Sequence, residues 1–329
     1  MADDPIDRLA ARYLRFAGEE ARGRSARYEK FARRIAGDQE VLTKLGVLIG
    51  AKRQPNLLLG AVKFLFGAPN SWDRFRELVL NRFDEILAVI VRESTQTNEP
   101  ARCATLLPVL ARLPPPLALI EIGAAGGLCL IPDRYAYDYE GHPVAPMRDI
   151  NIEPPTFSCA ANPATPLPNA PLQIAWRAGL DLKPLDINDD QRIAWLEALV
   201  WPDEGSRLTQ LRKAVAIART DPPRIYPGDL RMDLPAFVAR APRDATVVVF
   251  HSAVIGYLNQ ADRAAFVETM RTIDAVWISN EAPEVFPHFT ASAYLKPPWP
   301  HACFLLTMNE RPIAWADSHG AWIDWIERA

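Results

Sequence analysis

Between Leu119 and Leu130 the chain reads LIEIGAAGGLCL, an apolar run that ends in Glu121-Ile122 and runs into Gly123-Ala124-Ala125-Gly126-Gly127. A run of small residues lets the backbone turn sharply and approach a ligand closely, and the acid just before it places a carboxyl beside that approach. The pattern is that of a strand, glycine turn and helix start that binds a nucleotide-like cofactor. The dinucleotide fingerprint G-x-G-x-x-G needs glycines at 125 and 128, where Ala125 and Leu128 stand, and no G-K-[ST] follows the turn. A hydride-transfer cofactor and a phosphate-cradling loop are both disfavoured. The alternative is a tight strand-to-helix turn that holds no ligand.

The form acid-x-G-x-x-G-G resembles the first motif of S-adenosylmethionine-dependent methyltransferases. That resemblance implies S-adenosylmethionine as cofactor, lying against Glu121, Gly123, Ala124, Gly126 and Gly127. It also implies a carboxylate at the end of the second strand that accepts both ribose hydroxyls, since two oxygens match two vicinal donors. Asp181, in Ala-Gly-Leu-Asp-Leu, is favoured for this; Asp138 is the alternative, at the more usual distance from the turn but inside what reads as an insertion. Asp229, in Pro-Gly-Asp-Leu, stands where the methyltransferase residue that meets the adenine amino group stands, although Gly-Asp is also a common turn.

His251-Ser252 ends a further apolar strand. On the methyltransferase resemblance this edge faces the transferred methyl group, so His251 is a candidate to orient a substrate or take its proton, with Ser252 beside the cofactor. The other reading of His251 is hydrogen-bonded structure. A strand followed by serine and a helix also suggests a hydrolase nucleophile at Ser252, but G-x-S-x-G would need glycines where Phe250 and Val254 stand. Ser279-Asn280-Glu281-Ala282-Pro283 brings Asn280 and Glu281 to the same edge, Glu281 as a second catalytic candidate. The N-P-P-Y motif of nucleic-acid amino-methyltransferases is absent from both strand ends, which disfavours DNA or RNA base amines. Asn98, Glu99 and Arg102 lie just upstream of the glycine turn as candidate substrate contacts with Tyr257 and Asn280, or as helix capping and an ion pair.

The elements that position these residues follow from periodicity. To about Leu113 apolar residues recur at helical spacing, as in Phe75, Leu78, Val79, Phe83, Ile86, Leu87 and Ile90, which predicts an all-helical N-terminal domain over 1–113. Asn70-Ser71 reads as one N-cap and Thr97-Asn98 before Pro100 as another; Pro114-Pro115-Pro116 closes the domain. Over 114–329 the pattern is short apolar runs at 117–122, 173–182, 224–226, 246–250 and 275–279, separated by helices over 189–199, 207–218 and 260–272. That predicts a parallel sheet covered on both faces. The runs 303–308 and 312–316 are joined only by Asn309-Glu310-Arg311, a link that suits antiparallel strands. Such an ending is typical of class I methyltransferases. Residues 135–172 read as a β-hairpin insertion and a proline-rich loop, either a lid or decoration.

With 329 residues, 49% of them apolar, the chain is long enough for a large α/β domain and a smaller one. A net charge of -3 gives no field to draw it to nucleic acid or an anionic membrane. The cluster Arg22, Arg24, Arg27, Lys30, Arg33 and Arg34 is interleaved with Glu19, Glu20, Glu29 and Asp38 and reads as a solvated helix face. Four scattered cysteines and five histidines show no metal-ligand spacing, and no apolar run spans a membrane or resembles a signal peptide. A reduced, cytoplasmic protein with a small-molecule partner is the expectation, its oligomeric state left open.

The ordered segments TNEPARCATLLP, LIEIGAAGGLCL, DRYAYDY, RAGLDLKPLD, ALVWPDEGSRL, PGDL, VVVFHSAVIGYL and SNEAP resemble a bacterial family, domain of unknown function 2332, over nearly the whole chain. Where its usual form has serine-alanine-glycine in the turn, this chain has Ala125-Gly126-Gly127, a small-for-small exchange. The resemblance implies a methyltransferase-like, Rossmann-like α/β fold without an assigned substrate. The functional expectation is S-adenosylmethionine-dependent methyl transfer to a small molecule; the alternative is a binding protein that keeps the fold without turnover.

Overall fold

The computed structural model describes residues 5–95, 98–147, 152–168, 170–293, 296 and 303–327. Thr97, one of the two residues read as a helix cap, lies outside them. The chain divides into two compact units, one of residues 1–97 and 190–209, the other of 98–189 and 210–329. The boundary expected at residue 113 thus sits at 97/98, and 190–209 joins the N-terminal helices.

Every regular element of the first unit among the described residues is a helix. Helices Ala26–Ala36, Gln39–Leu45 and Trp72–Asn81 start at Ser25, Asp38 and Ser71, each accepting a backbone N–H of the first turn with its side chain. Helices Pro55–Phe66 and Phe83–Arg92 supply further apolar faces, and Tyr13, Phe16, Phe31, Ile35 and Phe75 are buried between them. The helix Asp190–Leu199 enters this core with Trp195, whose indole donates to Ser94 O at 3.0 Å; Trp201 packs on Phe16 and Tyr28. In the basic cluster Arg24 pairs with Glu204 and Arg33 with Glu29.

The second unit holds twelve strands among the described residues. They are β1 (Leu117–Ile122), β2 (Ala136–Asp138), β3 (Pro143–Val144), β4 (Thr156–Ser158), β5 (Ala160–Ala161), β6 (Ile174–Asp181), β7 (Ile225–Pro227), β8 (Thr246–Ser252), β9 (Val276–Glu281), β10 (Cys303–Met308), β11 (Arg311–Asp317) and β12 (Trp322–Trp325). Nine form one sheet in the order β5-β12-β11-β10-β9-β8-β1-β6-β7. β7, β6, β1, β8 and β9 are mutually parallel, and β9, β10, β11 and β12 pair antiparallel in turn. The C-terminal hairpin is therefore present, and its first strand, β10, is the one beside β9. β1 is buried at every position, as a central strand covered on both faces must be.

The chain leaves β1 to one side for β6 and β7 and returns to the other for β8 and β9. The order thus reverses between β1 and β8, and the crevice outside the carboxyl ends of such strands is where open α/β sheets bind ligands. The segment after β1 is part of the unit's packing. β2 and β3 make the expected hairpin, while β4 adds parallel to β2. The hydroxyls of Tyr135, Tyr137 and Tyr139 donate to Leu128 O, Pro132 O and Ala104 O. Those bonds tie the hairpin to the residues after the glycine turn and to the helix Cys103–Leu110. Asp138, the last residue of β2, accepts from Gly141 N in the hairpin turn.

Candidate functional site

The glycine turn leaves β1 at the reversal point. Gly123 has φ +71° and Gly127 +73°, left-handed values that glycine adopts without steric cost. Gly123 N donates to Leu180 O at 2.8 Å, joining the turn to β6. Ala125 also has positive φ, +46°, and its N–H donates to Asp181 Oδ2 at 2.8 Å, while Asp181 Oδ1 accepts from Lys183 N at 2.7 Å. One carboxylate at the end of β6 thus braces an alanine in a conformation that costs a non-glycine residue about 1 kcal/mol. Asn98 braces the other side: its Nδ2 donates to Ala124 O and its Oδ1 accepts from Leu128 N, both at 3.2 Å.

Paired residues of a parallel sheet point to the same face. Registers Glu121↔Phe250 and Ser252↔Asn280 put Glu121, Ser252 and Asn280 on one face; Ile122↔His251↔Ser279 put His251 and Glu281 on the other.

On the first face Glu121 is 7% exposed, and its Oε2 is buried with no hydrogen-bond partner. Burial pushes this carboxyl well above the usual carboxylate range, Cys129 and Asp181 push the same way, and the Arg102 guanidinium opposes them. Arg102, also buried, donates from Nε to Ser318 O at 2.8 Å and from Nη1 to Ser252 O at 3.1 Å. Glu99 caps the short turn Pro100–Arg102 by accepting from Ala101 N at 3.2 Å, so the cap is one residue later than Asn98. Asn280, with no exposure, donates from Nδ2 to Ser252 Oγ at 3.0 Å, and its Oδ1 has no partner. Glu121, Ser252 and Asn280 therefore share one face at the carboxyl edge with Arg102 bonded to Ser252 O, while Asn98 and Glu99 bond to the glycine turn and to Ala101. Tyr257 does not join this group; it is 71% exposed.

On the second face His251 is enclosed among Phe266, Trp277 and Phe286. The Trp277 indole can only donate, and it reaches His251 Nε2 at 3.0 Å. His251 accepts there and consequently donates from Nδ1 to Glu281 Oε1 at 2.8 Å. The same oxygen accepts from Val254 N at 2.9 Å and Ile255 N at 3.0 Å. This dyad fixes the turn after β8, where Ala253 has φ +57°, and the turn seats Val254 against Gly123. With both ring nitrogens engaged on the far face, His251 does not reach Ser252.

Asp229 caps the helix Leu230–Val238 by accepting from Arg231 N at 3.0 Å, and its carboxylate is gripped by the Arg231 side chain, which holds it below the usual range. Gly123 would clash with Val254 if it carried a Cβ, Gly126 abuts Leu185 and Ile187, and Gly127 abuts Ile225 and Pro223. Among the described residues no group of three or more His, Cys, Asp or Glu is placed to hold a metal ion, and no helix is long and apolar enough to cross a membrane. The four cysteines are buried thiols; the Cys103 thiol and burial push that of Cys129 well up.

Sequence reasoning did not find Val254 as the contact of Gly123 or Trp277 as the partner of His251. Both are apolar or aromatic residues in strand or turn settings where burial alone accounts for the type. No curated protein and no solved structure matches the chain. The family described as "Uncharacterized protein conserved in bacteria (DUF2332)" matches residues 10–325, which is nearly the whole chain, and the protein belongs to that family.

Proposed function

We propose that the protein is an S-adenosylmethionine-dependent methyltransferase. The observation that carries the reading is the Glu121–Gly127 turn at the strand-order reversal, with a buried Glu121 oxygen that lacks a partner and Asp181 beside the turn. A carboxyl so placed suits a ligand that brings N–H donors or positive charge. Asp181 keeps lone pairs on both oxygens beyond its two backbone bonds, enough for a diol. Bound there, S-adenosylmethionine would supply a methyl group on a sulfonium that is already a good leaving group. The protein's part is alignment and exclusion of water, which supplies most of the rate in such a step.

A second reading, a binding protein without turnover or a bare structural turn, is favoured by one observation. Gly123, Gly126 and Gly127 are each accounted for by the protein's own side chains. Calorimetry with S-adenosylmethionine and S-adenosylhomocysteine decides: binding of both is expected, and no heat from either at high concentration sinks the methyltransferase reading. Asp181→Asn should weaken binding about tenfold, the loss of one charge-assisted hydrogen bond, and lower the melting temperature as well, since the new amide NH2 must face Ala125 N or Lys183 N; affinity is therefore read well below that melting temperature. Replacing Gly123 with a bulky residue is the poorer control, because it would displace Val254 as well as any ligand.

A further inference from the structure

We infer that the methyl acceptor is a small molecule whose reacting atom is an uncharged amine nitrogen, received by Asn280 Oδ1 on the face of the sheet that also carries Glu121. The inference rests on the methyl-transfer reading and names its substrate class.

Asn280 is the last but one residue of β9, level with Ser252 of β8, at the edge where the glycine turn lies. Its amide nitrogen is committed to Ser252 Oγ at 3.0 Å, while Oδ1 is buried with no partner. An amide oxygen taken out of water and left unpaired costs about 1–3 kcal/mol, so whatever completes this face must bring an N–H or O–H. Glu121 Oε2 on the same face has the same deficit. Asn280 Oδ1 can only accept, so the occupant must bring a donor to it, which a purely anionic group does not.

The inventory of bases separates an amine from an alcohol. A hydroxyl that attacks a methyl group must give up its proton to a base as the bond forms. Glu121 is held toward its protonated form by burial, Glu99 Oε1 accepts from Ala101 N, and Asp181 accepts from Ala125 N and Lys183 N beside the glycine turn. His251 and Glu281 lie on the opposite face, bonded to each other and to Trp277, Val254 and Ile255. A neutral amine needs none of these. Donating one N–H to Asn280 Oδ1, it keeps its lone pair directed away from that bond. The lone pair forms the new nitrogen–carbon bond, the sulfur–carbon bond breaks with its electron pair kept by sulfur as a thioether, and the N-methylammonium product loses its extra proton to water.

The test supplies the full-length protein with S-adenosylmethionine labelled with carbon-13 in the methyl group and the small-molecule fraction of a bacterial lysate. The carbon chemical shift of the product identifies the atom that received the label. An N-methyl product is expected. Asn280→Leu should lower its formation at least about tenfold, the equivalent of one lost hydrogen bond, while calorimetric affinity for S-adenosylmethionine changes less than about twofold. Asn280→Asp, which keeps an acceptor oxygen at the same place, should restore part of the loss. Label on oxygen, sulfur or carbon overturns the inference, as does unlabelled extract with the cofactor bound or full activity in Asn280→Leu. Failure of S-adenosylmethionine to bind at all removes the methyl-transfer reading itself, and the calorimetry reports that separately.

Discussion

Burial disfavours the charged form of a carboxyl, and Glu121, 7% exposed with one oxygen lacking a partner, is in that position. Its proton is retained in the folded chain at pH values where the unfolded chain, with its ordinary value near 4.5, has lost it. The contribution to stability is therefore fully present below the unfolded value and is lost as pH rises through the folded one. Glu121→Gln removes that loss. Wild type and variant should melt together near pH 4 and diverge above it, the variant higher, by about 1.4 kcal/mol for each pH unit until the folded carboxyl ionises. Parallel melting curves across that range would show that Glu121 has solvent or a partner. The candidate acids were legible in the sequence because each follows an apolar run. Their states were not, because they depend on residues distant in the chain. Asp181 reaches Ala125, Asp229 turns back to its neighbour Arg231, and His251 is silenced by Trp277 and Glu281.

At the level of elements the glycine turn and the turn after β8 form one mechanical unit. Gly123 has a left-handed φ, and a Cβ built on it would come within 2.8 Å of Val254 Cγ1. Gly123→Ala should cost about 1–2 kcal/mol from backbone strain alone, with the clash added to it. Val254→Ala removes the clash and leaves the strain. A double-mutant cycle read by urea unfolding should therefore give a favourable coupling of about 0.5–3 kcal/mol; strictly additive losses would mean the two turns are independent. The strands of this layer were readable from runs of β-branched and apolar residues, and their observed bounds differ from the expected ones by a few residues at most. The helix Leu230–Val238 was not read, since Pro235 within it argues against a helix. β12 was also missed: its four residues are too few for a period to show, and its place is fixed by pairing with β11 and β5.

At the scale of the whole molecule, chain order and spatial order part company. Residues 190–209 follow β6, yet they belong to the helical unit, and no periodicity could reveal this because a helix that packs on helices and one that packs on a sheet carry the same apolar stripe. Residues 98–113 illustrate the converse: they read as the last N-terminal helix, but Arg102 bonds to Ser252 O and Ser318 O and Ala104 O accepts from Tyr139, all within the sheet unit. The division makes a prediction for Trp201. Its ring lies 5.6 Å from that of Phe16 and 5.9 Å from that of Tyr28, and its indole donates to Asn56 Oδ1 at 3.0 Å. Trp201→Ala should therefore destabilise the helical unit by about 3–5 kcal/mol, the usual cost of removing a buried aromatic ring. Amide exchange resolves where the loss falls. Protection should drop in Ala26–Ala36 and Pro55–Phe66 while Ile120 in β1 and Val249 in β8 keep theirs, since locally opening units exchange independently when they are separate. Loss of protection centred on β1 and β8 would instead place Trp201 in the energetics of the sheet and overturn the assignment of 190–209 to the helices.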